Sequence, residues 1–195
     1  DQIIHDKMVE WGYHVTPVIS SDLASFTNAD YEAYDFIFTS ESVGSSSLAP
    51  LKLIPKPLVN SEAWAAKPSA LAWFDPAHAD SYVPESIVIL DEAAGHPLAA
   101  GYNPGDVLDL CSMYTGLTVP VIPTIDVIPI ASYISVPSYL VVFGIESGTT
   151  LTDGDITRNR AASINIHEFG YTSITEAGWA FYHAAIKWVT ALDSD

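Results

Sequence analysis

Apolar positions in this chain follow two periods. In "DQIIHDKMVEWGYHV", Ile4, Met8 and Trp11 recur at helical spacing. That spacing predicts an amphipathic helix with Asp1 placed to cap its start and Gly12 to end it. The next stretch, "YHVTPVI", predicts a strand, and Pro17 within it points to an exposed edge or a bulge. Acidic "TNADYEAYD" reads as a loop or short helical turn ahead of the strongly apolar strand "FIFTS". "VGSSSLAPLKLIP" predicts a Gly/Ser turn and a short crossover helix, and "KPLVN" the strand that follows. "SIVILD" at 86–91 is another strand, and "HPLAAGYNPGD" is rich in turn residues. From 117 to 145 the chain is β-rich but broken by prolines at 120, 123, 129 and 137, which predicts short strands. "ESGTTLTDGD" is a turn and "AASINIHEF" a buried strand. The clearest helix is "SITEAGWAFYHAAIKWVTAL", where Thr175 or Ser173 can cap and Ser173 with Glu176 would form a capping box. Its core stripe is Trp179, Tyr182, Ile186 and Val189.

Helices alternating with short apolar strands imply an α/β fold: a three-layer arrangement around a mostly parallel sheet, with the β-rich middle as an insertion or extension. No internal repeat or linker divides residues 1–195, so a single domain is expected. Doubly wound folds place a central strand before their first helix, and here the helix comes first. Three arrangements satisfy this: a preceding strand was removed, another chain supplies it, or the sheet is built without it. An unfilled slot would leave backbone groups unpaired, and strand addition from a neighbouring chain satisfies such groups.

Charge narrows the partners. Seven Lys and Arg stand against 24 Asp and Glu, a net charge of -17. That excess repels phosphate backbones and anionic lipid, so neither nucleic acid nor a membrane surface is an expected partner. No apolar run approaches the roughly 20 residues that span a bilayer. Cys111 is the single cysteine, which excludes an internal disulfide and a cysteine metal cluster. Few lysines with abundant Ser, Thr and Tyr incline the reading toward an extracellular or cell-surface protein.

Five segments, "DYEAYDFIFTSESVGSS", "IPKPLVNSEAW", "GHPLAAGY", "RNRAASINIHEFG" and "TEAGWAFYHAAIKWV", taken in order, resemble the class I glutamine-amidotransferase-like superfamily, nearest its trehalose-utilisation-protein (ThuA)-like domains. The resemblance covers nearly the whole chain and lacks the family's first strand. It implies a flavodoxin-like sheet. In catalytic members a Cys follows a strand like "KPLVN", and a His-x-Glu pair follows a late strand. On this chain the Cys position falls on Glu62 and the His on His167, with Glu168 directly after it. A thiolate is needed to form the thioester, so amidotransferase activity is not expected, and Cys111 in "DVLDLCSMY" is not placed to substitute.

Candidate chemistry therefore rests on Glu62 and His167 as an acid/base pair at strand carboxyl ends. Glu41, Ser61 and Glu168 would complete a pocket for a sugar or cation. The competing reading is that Glu62 accepts backbone amides at a helix start. His96 reads as a turn histidine. The six histidines lack metal-ligand spacing, "GTTLTDGD" lacks the order of a calcium loop, and no metal or cofactor is expected. Two functions follow as expectations. One is a non-catalytic module acting in protein–protein assembly, as a homopolymer or filament subunit or with another chain, with a glycan as a further contact. The other is a carbohydrate-related enzyme using Glu62 and His167.

Overall fold

A computed structural model describes residues 1–74, 86–112 and 122–191. Helix α1 spans Gln2–Glu10 and buries Ile4 and Met8, the predicted stripe. Gly12 ends it at φ +92°, a conformation that favours glycine. Asp1 does not cap with its side chain; its carboxylate accepts from the Ser42 hydroxyl at 2.7 Å instead. A second short helix, α2, covers Asn28–Glu32 behind a Thr27–Asp30 capping box. Helix α3 runs Glu176–Thr190. Its cap is Thr175, whose hydroxyl accepts from the Gly178 amide, while the Ser173 hydroxyl donates to the Gly170 carbonyl, so the Ser173–Glu176 box does not form.

The described strands are β1 Ile37–Thr39, β2 Leu58–Asn60, β3 Ile87–Ile89, β4 Val107–Leu108, β5 Ile128–Tyr133, β6 Leu140–Ile145 and β7 Ala161–Ile164. They form one open sheet in the order β1-β2-β7-β6-β5-β3-β4. The ladders β1–β2 and β2–β7 are parallel, with Ile37 opposite Leu58 and Leu58 opposite Ala161. The other four ladders are antiparallel. Strand direction is thus shared by β1, β2, β7, β5 and β4, but parallel hydrogen bonding is confined to one half of a mixed sheet. The reason is local: β5 and β6 are joined by the short link 134–139, and so direct a connection makes a hairpin. The prolines divide this region as expected, with a register shift after Pro129. Residues 117–121 of the predicted β-rich stretch lie outside the described residues.

Two apolar clusters cover the two faces. One packs α1 and α3 on the sheet through Met8, Val59, Ile164, Phe181 and Ile186. The other is roofed by 3₁₀ turns at Ser20–Ser25, Ser45–Leu51 and Ala63–Ala66, and holds Leu48, Leu58, Phe74 and Phe143. The crossover predicted as a short helix is the 3₁₀ turn at Ser45–Leu51, with Pro50 inside it.

"YHVTPVI" departs from expectation. Residues 14–18 carry no strand and, among the described residues, no backbone hydrogen bond. An extended apolar segment becomes a strand only when a neighbour takes its amides, and none of the described residues does.

Candidate functional site

Because β1, β2 and β7 are parallel neighbours, their carboxyl ends meet on one side, where open α/β sheets place ligands. Each strand continues into one candidate residue. Glu41 follows β1, Glu62 follows β2 and His167 follows β7; all three side chains are buried. Glu62 opens the 3₁₀ turn Ala63–Ala66 and accepts the Trp64 amide on Oε1 at 3.0 Å. Its backbone (φ -82°, ψ 95°) is ordinary extended chain rather than a strained nucleophile elbow. His167 opens the 3₁₀ turn Glu168–Ser173 in the same manner, with Nδ1 accepting from the Phe169 amide at 3.2 Å.

That bond sets the tautomer. With Nδ1 an acceptor, a neutral His167 carries its proton on Nε2, which lies 3.3 Å from Glu41 Oε1. Glu41 Oε2 accepts the Glu168 amide at 2.9 Å. The carboxylate partner of the imidazole is therefore Glu41 and not Glu62. Glu168 contributes its backbone, while its side chain is exposed.

Burial dominates the electrostatics. It raises Glu41 to about 7 against the opposing Glu168 amide. Burial, with the charge of Glu41 next in size, raises Glu62 to about 8. It also lowers His167. The charge of Glu41 adds to the burial of Glu62 and raises it further, so of the two carboxyls Glu41 gives up its proton first. Two carboxyls raised toward neutrality beside an imidazole make a set able to take up and deliver a proton.

Ser61 faces away from this cluster. It is fully buried, its hydroxyl 2.7 Å from Tyr182 Oη and 3.2 Å from the Ile164 carbonyl. Tyr171 links the two layers: its hydroxyl accepts the Glu41 amide at 2.8 Å and donates to Ser61 at 3.3 Å. The sequence offered one signal for Tyr182, since a tyrosine in a core stripe must find a partner for its hydroxyl; for Tyr171 it offered none. Two rings stand exposed beside the acids, Trp64 at 42% and Phe169 at 60%, the latter 4.6 Å from the His167 ring.

The remaining candidates are structural. Cys111 forms an isolated bridge with Ile174, and burial pushes its thiol up to about 11, far from a nucleophilic thiolate. His96 caps the turn at Pro97–Ala99 by accepting the Leu98 amide. Asp153 and Asp155 of "GTTLTDGD" both pair with Lys52. Arg160 joins Glu146 at 2.8 Å. Among the described residues no group of three or more His, Cys, Asp or Glu is arranged to hold a metal ion, and no helix is long and apolar enough to cross a membrane.

Fold and site together define an α/β protein with a buried Glu41–His167–Glu62 cluster at the carboxyl ends of its parallel strands. No family model matches the chain, nor does any curated protein or solved structure.

Proposed function

We propose that this chain is a non-catalytic amidotransferase-like module of a secreted or cell-surface protein, and that it acts in protein–protein assembly by accepting a β-strand. In this reading the sheet is a flavodoxin-like one whose first central strand comes from a partner, and the antiparallel half β3–β6 is the β-rich insertion. The observation that carries it is the bare outer edge of β1. Ile37 and Thr39 spend their backbone groups on β2, so the alternation of a parallel ladder turns the N–H and C=O of Phe38 outward. No described strand lies there. A carboxylate on extended backbone after β2, with the thiol of Cys111 held protonated elsewhere, supports the non-catalytic part.

A carbohydrate-related enzyme is the second reading, favoured by the Glu41–His167–Glu62 cluster with the exposed rings of Trp64 and Phe169 beside it, since aromatic faces suit sugar rings. Three measurements separate the two. The assembly reading expects no ammonia from glutamine, no turnover across a sugar panel, and fast amide exchange at Phe38 between slow Ile37 and Thr39. Turnover that Glu62→Gln abolishes, with a melting temperature unchanged near pH 5, establishes the enzyme instead. A protected Phe38 in the isolated monomer removes the basis for strand acceptance.

A further inference from the structure

Beside the open edge of β1 lies a cavity of about 650 Å³. Residues 13–18 line one flank, Phe36–Ser40 the other, and Ile4, Met8, Leu48 and Leu51 lie above and below. The covers above and below come from different faces of the core, because Ile4 and Met8 belong to the α1/α3 cluster and Leu48 and Leu51 to the opposite one. An object filling this space is covered on both sides, as a central strand is. Among the described residues both flanking backbones are unpaired: Phe38 on its outer side of β1, and residues 14–18 across from it. One side chain adds an independent sign. Tyr31 lines the cavity at 3% exposure, and its hydroxyl has no hydrogen-bond partner. A buried hydroxyl left alone is costly, which marks this wall of the cavity as incompletely satisfied.

Resting on the assembly reading, we infer that this groove takes an extended apolar segment of a different polypeptide, about five residues long, parallel to β1 and flanked by lysine or arginine. The length follows from the accessible edge, Phe36 to Ser40. Direction follows from α1, whose start is tied to the carboxyl end of β1 through Asp1 and Ser42. The helix thus runs back along the groove, the packing a helix adopts over a parallel strand pair. Charge selects the partner. Asp1 and Asp35 line the cavity within a chain of net charge -17, so basic flanks are attracted while a second copy of this chain is repelled. The apolar strands β2, β5, β6 and β7 of such a copy are also already committed to its own sheet.

The test uses a synthetic peptide of five alternating valines and isoleucines with two lysines at each end, and a control with proline at alternate positions, which removes the donating amides. Titrated into the purified chain, the first peptide is expected to slow Phe38 amide exchange at least tenfold and to raise the melting temperature in a concentration-dependent way; the proline control does neither. A nitroxide on the peptide's carboxyl end broadens Ser40 and Ser42, not Asp35. An open Phe38 that the peptide fails to protect overturns this inference while leaving the assembly reading intact. Broadening at Asp35 instead overturns the direction. Protection that grows with the concentration of the chain alone identifies a second copy as occupant and also overturns it. If Phe38 is already slow in the isolated monomer, the assembly reading falls with it.

Discussion

At the scale of single residues, the cluster's chemistry is a problem of two carboxyls sharing little solvent. Glu41 and Glu62 are raised to about 7 and about 8, chiefly by burial. A carboxyl raised on folding binds its proton more tightly in the native state than in the unfolded one. Its stabilising effect is complete below the unfolded value near 4.5 and is lost as pH rises through 7 to 8. The melting temperature should therefore fall steadily between pH 5 and pH 9 in a calorimetric series. Glu62→Gln, which keeps shape and removes the ionisation, should flatten that fall and stabilise the protein at pH 9 by on the order of 2 kcal/mol. A variant that tracks the parent at every pH would show that Glu62 is not the residue bearing the proton. A sequence exposes Glu41, Glu62 and His167 as polar residues ending apolar runs, which is why they were legible. Which acid meets the imidazole was not, because that choice depends on how the 3₁₀ turn after β7 aims its side chains.

At the scale of elements, the caps and the close contacts decide where substitutions are felt. Gly178, in the first turn of α3, has no room for a methyl group: a Cβ there would meet the Leu110 carbonyl oxygen at 2.5 Å and Ile174 Cγ2 at 2.7 Å. Alanine is the better helix former by about 1 kcal/mol, yet a backbone oxygen cannot yield as a flexible side chain can. Gly178→Ala is expected to destabilise by about 2 kcal/mol in urea unfolding, and a gain in stability would show that the helix start has freedom to shift. Thr175→Ala, which removes the cap from the Gly178 amide, should cost about 1 kcal/mol, whereas Ser173→Ala should leave the cap intact. Helix α3 was readable because its stripe is long and periodic. "YHVTPVI" misled because its apolar content is that of a strand, while strand formation needs a hydrogen-bonding neighbour that local sequence cannot supply. The 3₁₀ turn after β7 was hidden, since short turns have no periodic signature, whereas those after β1 and β2 were read as a short helix and a helix start.

At the scale of the whole molecule, a net charge of -17 acts on every folded state and every encounter. Raising sodium chloride from 10 mM to 0.5 M shortens the screening length from about 30 Å to roughly 4 Å. The melting temperature is expected to climb by several degrees across that range, and the lysine-flanked peptide to bind more weakly. A melting temperature insensitive to salt would mean that self-repulsion is already compensated within the fold. The sequence by itself determined the order of apolar segments, the two principal helices, most of the strands, the acidic surface and the absence of a thiol after β2, because each depends on local periodicity or simple counting. Tertiary structure alone decided the mixed directions of the sheet, the pairing of His167 with Glu41, and the groove beside β1. Those are set by contacts between segments far apart in the chain, where a strand's partner, an acid's burial and an edge left bare are properties of neighbours and not of the residue itself.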